Sequence, residues 1–182
     1  MRLVFALATL VALLPTVGFG AQSEAGPKGV TCREFAAAFR AGTFDLGVGR
    51  TRLKDGTSCI VARPGGPCEW AVELMSLERW GKGGRFLMAS LYANHLTGTG
   101  AWHSVFVYEC RGGTYRQVFD ASILYGAKIE LGQDAEFVLT SNQWSPDDPL
   151  CCPSSERRNR YVWDASRGRF VQMDSQVVPK KP

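Results

Sequence analysis

Two histidines and six cysteines are the residues with which this chain could do chemistry. His95 and His103 are its candidate general bases near neutral pH. They flank the glycine-rich stretch "LTGTGAW", so a hairpin there would bring both to one end of a sheet. Together they make two ligands at most, and no carboxylate or cysteine stands at zinc-binding spacing beside them. Ser90 and Ser104 are nearby hydroxyls, but neither lies in the G-x-S-x-G context of a nucleophile elbow. A small extracytoplasmic hydrolase using His95 or His103 is therefore the alternative; two polar turn histidines are the plainer expectation. No metal or cofactor is expected. Asp45, Asp55, Asp147 and Asp148 lack calcium-loop spacing, and "GVGRTRLKDG" and "GKGGR" lack the G-K-[ST] ending of a phosphate loop.

The cysteines are Cys32, Cys59, Cys68, Cys110, Cys151 and Cys152, and all follow a segment shaped like an export signal. Arg2 supplies the positive start, Leu3 to Leu14 are apolar except for Thr9, and Pro15 ends the run. Gly18 and Gly20 then place small residues at the −3 and −1 positions of a cut after Gly20. Spanning a bilayer takes roughly 20 apolar residues, so this run is read as a cleaved signal peptide, residues 1–20, with no stable membrane insertion afterwards. The mature protein is expected to be secreted or periplasmic. An even cysteine count in an exported chain reads as a disulfide framework. A bridged cysteine is neither nucleophile nor metal ligand, which removes thiol catalysis from the inventory.

Loss of residues 1–20 removes one basic residue and lowers the net charge from +4 to +3. The basic residues are scattered, which argues against nucleic acid as a partner. About 160 residues remain, the size of one ordinary domain. Residues 21–29 are small and polar and read as a flexible leader, 30–176 as a single domain, and 177–182 as a disordered tail. Thr31 with Glu34 makes a capping box, Phe35, Ala38 and Phe39 recur at helical spacing, and Gly42 stops the helix. From Cys59 onward, strands are expected at 59–62, 69–77, 85–93, 104–110, 115–120, 127–131, 136–141, 160–164 and 169–173. Turns at Gly112-Gly113 and at Ser166 to Gly168 predict hairpins. Short connections imply antiparallel neighbours. The expected fold class is α+β: an N-terminal helix packed on a meandering antiparallel β-sheet, disulfide-stapled, with a pure β-sandwich or a propeller fragment as competitor. Trp70, Trp80, Trp102, Tyr92 and Tyr108 could stack on sugars, but alternation along strands marks them first as core.

Cys59 and Cys68 flank the turn "IVARPGGP" and are expected to pair. Cys110 is expected to reach one of Cys151 and Cys152, with Cys32 taking the other; a bridge between the two neighbours is less favoured because it forces an unusual peptide geometry. The loop 141–155, "SNQWSPDDPLCCPSS", is stiffened by Pro146, Pro149 and Pro153. A clamped loop loses little entropy on contact, so Trp144, Asp147 and Asp148, with nearby Arg157 and Arg158, are the candidate binding residues. Trp144 as the last core residue of a strand is the plainer alternative. Arg157, Arg158 and Arg160 stand beside Glu156 and read first as a solvated strand entrance, second as an anion site.

The stretch "DDPLCCPSSERRNRYVWDASRGRFV" resembles a region of actinobacterial LppP/LprE-type lipoproteins and related uncharacterised secreted proteins, with its adjacent cysteines between two prolines. The upstream "GTGAWHSVFVYECRGGTYRQVFD" resembles the hairpin ahead of that motif. The likeness covers roughly half of the mature chain, and the lipidation cysteine of the lipoprotein members has no counterpart here. It implies an extracytoplasmic fold of one helix and an antiparallel sheet, with a disulfide at the Cys-Cys corner, and no settled activity. The expected function is a non-catalytic binding or interaction domain of the bacterial cell envelope, its partner an unknown envelope protein or ligand. A purely structural envelope protein is the remaining alternative.

Overall fold

The computed structural model describes residues 31–45, 50–61, 65–98 and 100–180. The expected signal peptide and leader, residues 1–29, lie outside the described residues. The chain opens with α1 (Phe35–Arg40) and a hairpin of β1 (Thr43–Asp45) and β2 (Arg50–Arg52). Then come β3 (Thr57–Ile60), β4 (Trp70–Trp80), β5 (Phe86–His95), β6 (Ala101–Arg111) and β7 (Thr114–Leu124), antiparallel neighbours in one five-stranded sheet. A second sheet follows, of β8 (Lys128–Leu131), β9 (Glu136–Gln143), β10 (Ser155–Asp164) and β11 (Arg169–Pro179), again antiparallel, in the order β11-β10-β9-β8.

The α+β expectation is overturned by this architecture. Among the described residues the protein is mostly β, with two large antiparallel sheets besides the β1–β2 hairpin rather than one sheet, and its α-helix is a six-residue segment. The reason lies in the two faces of the five-stranded sheet. Strands β5 and β6 are buried almost throughout, as near-continuous apolar runs require. On one face Leu87, Ala89, Leu91, Trp102, Phe106 and Tyr108 pack with Phe35 and Phe39 of α1. On the other, Phe86, Met88, Val105 and Val107 pack with Phe137, Leu139 and Phe170 of the second sheet. A helix of one and a half turns covers too little area to bury both faces, so the second sheet supplies the missing layer.

The helix stands on its two phenylalanines. Phe35 and Phe39 are 0% and 1% exposed, and the Phe35 ring lies 3.9 Å from that of Tyr115 and 4.6 Å from that of Tyr108. Tertiary packing, not propensity, stabilises a helix this short. The expected capping box is half formed: Glu34 accepts from the Thr31 N–H at 3.3 Å, while the Thr31 hydroxyl donates to the Glu34 carboxylate at 2.8 Å instead of capping an N–H.

Each strand expected from Cys59 onward is present, most of them longer than read, and both hairpins turn where expected. The β1–β2 hairpin falls in a stretch read as turns. Val177 to Pro179, assigned to the tail, instead complete β11 opposite Ser155 to Arg157. The chain passes from one sheet to the other at Tyr125 to Ala127, where the Asn142 N–H donates to the Tyr125 carbonyl at 2.8 Å. Gly126 has φ +58 there, and a Cβ on it would meet the Asn142 amide nitrogen at 2.6 Å, so the crossing requires glycine.

The disulfides are Cys32–Cys110, Cys59–Cys68 and Cys151–Cys152. The expected links from Cys110 and Cys32 to the Cys151-Cys152 pair are therefore corrected. The Cys32 N–H donates to the Gly113 carbonyl at 3.0 Å, which seats the helix entry beside the β6–β7 turn and Cys110. Trp102, at the opposite end of β6, is the residue that neighbours the Trp144 side of the molecule through Tyr125. Eight strand positions separate Trp102 from Cys110, roughly 27 Å at a strand's rise.

A buried carboxylate holds the Cys110 end together. The Glu109 side chain is 0% exposed. It accepts from Arg85 Nε at 2.9 Å and from a second Arg85 nitrogen, and from Arg116 Nη2 at 2.9 Å. Arg116 also donates to the Gly168 carbonyl at 2.9 Å, and the Arg85 guanidinium lies 5.0 Å from the Trp163 ring centroid, so both arginines bridge the sheets. Burial pushes the Glu109 carboxyl up, but hydrogen bonds and charge from Arg85 and Arg116 outweigh it and hold the group below the usual glutamate value. Glu109→Gln is expected to cost about 2–3 kcal/mol, less than for a wholly buried pair because the arginines remain half in water. A depressed folded-state pKa gives stability that is present above the unfolded value and lost as pH falls through the folded one. Denaturant melts should thus show wild type losing stability below pH about 4.5 more steeply than Glu109→Gln; parallel pH profiles would refute the assignment.

Candidate functional site

The loop between β9 and β10 is organised by one carboxylate. Asp148 Oδ2 accepts from the backbone N–H of Ser145 at 2.7 Å, from that of Ser154 at 2.9 Å and from the Ser154 hydroxyl at 3.0 Å. These bonds close the loop at its neck. The Ser154 N–H and then the Ser145 N–H hold the Asp148 carboxyl below the usual aspartate range, so it is ionised at neutral pH. Inside the loop, the Asp148 N–H donates to the Ser145 carbonyl at 3.0 Å and the Cys152 N–H to the Pro149 carbonyl at 3.0 Å, two successive turns. The Lys180 N–H donates to the Ser154 carbonyl at 2.8 Å and ties the neck to the end of β11. The tip of the loop is apolar, while Ser145, Asp147 and Ser154 are exposed nearer its neck. Leu150 is 96% exposed, and Pro149, Cys151 and Cys152 beside it are exposed as well.

Trp144 leads from the loop into an aromatic row. Its ring meets Tyr125 edge-on at 5.3 Å, Tyr125 lies 6.4 Å from Trp102, Trp102 3.9 Å from Trp70, and Trp70 4.5 Å from His95. The row runs across this end of the sandwich and joins the two sheets through Tyr125. Trp102 is buried, Trp144 and Trp70 are half-buried, and Tyr125 is exposed. Gly98 lies against His95: a Cβ at position 98 would stand 2.6 Å from His95 Nδ1, so the imidazole would have to shift to admit one.

The two histidines do not converge. His103 sits opposite Tyr92 in the β5–β6 ladder, with their rings 5.0 Å apart, on the face that carries Val105 and Val107. His95 lies with Trp70 on the face of Leu91 and Ala93. Alternation along β5 and β6 puts them on opposite sides of the sheet. Burial lowers the His103 pKa and favours its neutral form.

Of the five candidate binding residues, Trp144, Asp147 and Asp148 share the loop, but Asp148 is occupied in closing it. Asp147 is exposed on its surface. Arg157 and Arg158 are consecutive on β10 and project from opposite faces. Arg157 Nε donates to Gln143 Oε1 at 3.0 Å, next to Trp144. Arg158 Nη2 donates to both Glu130 carboxylate oxygens at 3.4 Å on the outer face of the second sheet. There Arg158 lines a shallow groove with Lys128, Glu130, Glu156 and Lys180. The Lys128–Glu156 pair at 3.4 Å and the Arg160–Glu136 pair at 3.2 Å balance that surface, which leaves little net field to attract an anion. Sequence reasoning missed Leu150 and Tyr125. The signal for Leu150 was present: a single large aliphatic residue stands between prolines, aspartates and cysteines in "DDPLCCP". Compared with known proteins, the chain matches no family model, no curated protein and no solved structure.

Proposed function

We propose that the chain is an exported, disulfide-stapled binding domain of the bacterial cell envelope, non-catalytic, whose contact surface is the loop from Trp144 to Ser154. The observation that carries the reading is Leu150, 96% exposed at the tip of a loop whose neck Asp148 closes. A large aliphatic side chain held in water by a fixed backbone gains from burial against a partner and gives up little backbone freedom in doing so. Trp144, anchored on Tyr125 at the loop base, supplies the kind of aromatic that concentrates binding energy. Export is supported by the signal-like residues 1–20 and by the even number of cysteines. The envelope setting rests on the resemblance of residues 98–120 and 147–171 to the LppP/LprE-type lipoproteins.

The test places a photo-crosslinking amino acid at position 150 of the full chain, expressed in a bacterial host that exports it. One adduct of discrete mass is expected, lost in Asp148→Ala, where the loop neck opens, and retained in His95→Gln with His103→Gln. No adduct from position 150, or the same adduct from a probe at Gln176 on β11, overturns the reading.

A further inference from the structure

The three disulfides hold very different amounts of chain. Cys32–Cys110 joins residues 78 apart and Cys59–Cys68 residues 9 apart, whereas Cys151 and Cys152 are adjacent. Closing a bond between neighbours restricts the unfolded chain very little. The loop around it is fixed independently, by Asp148 at the neck and by the Lys180 contact to Ser154. This bond is therefore not a staple of the fold. It is also open to solvent, with both cysteines exposed, while Cys32 and Cys110 pack against the core and an exposed Cys59 is bridged to a half-buried Cys68. The other two pairs have Cα separations of 5.9 and 5.6 Å, where disulfides ordinarily sit. There the flanking hydrogen bonds, Cys32 N–H to the Gly113 carbonyl and Glu69 N–H to the Ile60 carbonyl, hold the two halves of each bridge together and favour reclosure. Adjacent residues are held at 3.8 Å by the peptide link itself, short of that ordinary range.

We propose that Cys151–Cys152 is a thiol–disulfide exchange site, opened by an external dithiol while Cys32–Cys110 and Cys59–Cys68 stay closed. A thiolate of the dithiol attacks one of the two exposed sulfurs and forms a mixed disulfide. The other cysteine leaves as a thiolate and takes up a proton. The second thiol of the reductant then displaces the remaining cysteine and closes its own disulfide. Two electrons pass to the protein, the reductant is oxidised, and two neighbouring thiols stand at the tip of the loop. Such a pair is the donor set that a trivalent organoarsenical bridges. Exchange here does not depend on what the loop binds, so the proposal stands apart from the binding reading.

The folded protein would be equilibrated with stepped concentrations of dithiothreitol, alkylated and mapped by peptide mass spectrometry. Cys151 and Cys152 are expected to reach half-reduction at a concentration at least about tenfold below the other four cysteines. Far-UV circular dichroism should be unchanged at that point, and phenylarsine oxide should bind one to one only after that step. Cys151→Ser with Cys152→Ser should abolish both the early phase and the arsenical binding while leaving the melting temperature in place. Opening of either other bridge at an equal or lower concentration overturns the proposal, as does opening of Cys151–Cys152 only with loss of the β signal.

Discussion

Phe137→Ala is expected to lower the unfolding free energy by about 4 kcal/mol, within the range for deleting a fully buried aromatic side chain. Phe137 is 0% exposed and stands where the two sheets meet. Its ring lies 5.0 Å from Tyr161 and 5.1 Å from Phe170 in its own sheet, and 5.1 Å from Phe119 and 6.3 Å from Trp80 in the other. Four aromatic rings line the space that the substitution would empty, and large flat side chains anchored on strands close over a hole only in part. For a domain of this size the melting temperature should fall by roughly 10 °C. Denaturant titration checks the figure: the midpoint should drop with the slope unchanged. Leu150→Ala is the control, since a side chain 96% exposed contributes nothing to folding. A loss below about 1 kcal/mol for Phe137→Ala would mean that the sheets do not share this core.

Removing the long disulfide should cost about as much. Cys32→Ser with Cys110→Ser is expected to destabilise by about 4 kcal/mol, from the loop-closure entropy returned to the unfolded chain. The closed loop spans residues 78 apart, and the bond ties the helix entry to the far end of β6. Without it, α1 keeps the packing of Phe35 and Phe39 and a few hydrogen bonds, such as those from the Cys32 N–H to the Gly113 carbonyl and from the Gly56 N–H to the Arg40 carbonyl, so amide exchange in residues 35–40 should accelerate before exchange in β5 and β6. Cys151→Ser with Cys152→Ser should change stability by less than about 0.5 kcal/mol under the same conditions. Equal costs for the two double variants would contradict both the fold reading of Cys32–Cys110 and the exchange role of Cys151–Cys152.

The strands were legible because their signals are local. Val105 to Tyr108 announce a pleated, buried segment in four residues, and Gly112-Gly113 announces its turn. Cys59 and Cys68 were legible as a pair because they flank a Pro-Gly-Gly-Pro stretch, on either side of which β3 and β4 lie in register. Layering was not legible. Period-two alternation shows that a strand has an apolar face but carries no label for what covers it, so nine strands fit one sheet as readily as two. Their division depends on Tyr125 to Ala127, three residues whose crossing is fixed by the bond from Asn142 and by the rings of Trp102 and Trp144 that Tyr125 meets. The helix misled for a related reason: its phenylalanine face and its stop at Gly42 were legible, but neither records that it covers one face of the sheet and leaves the other to a second sheet.

By itself, the sequence determined the strands from Cys59 onward, the local bridge between Cys59 and Cys68, and the loop 141–155 as the irregular segment worth attention. Composition, alternation and turn residues act over a few positions, and each of these features is decided over a few positions. Only the tertiary structure decided that the fold is a two-sheet β architecture, that Cys32 meets Cys110, and that His95 and His103 face opposite ways. It also turned Asp148 from a candidate ligand residue into the lock of the loop, and brought Leu150 forward as the group on display. These outcomes depend on contacts between residues tens of positions apart. Such contacts form where apolar faces find area enough to bury, and no short window of sequence records which face meets which.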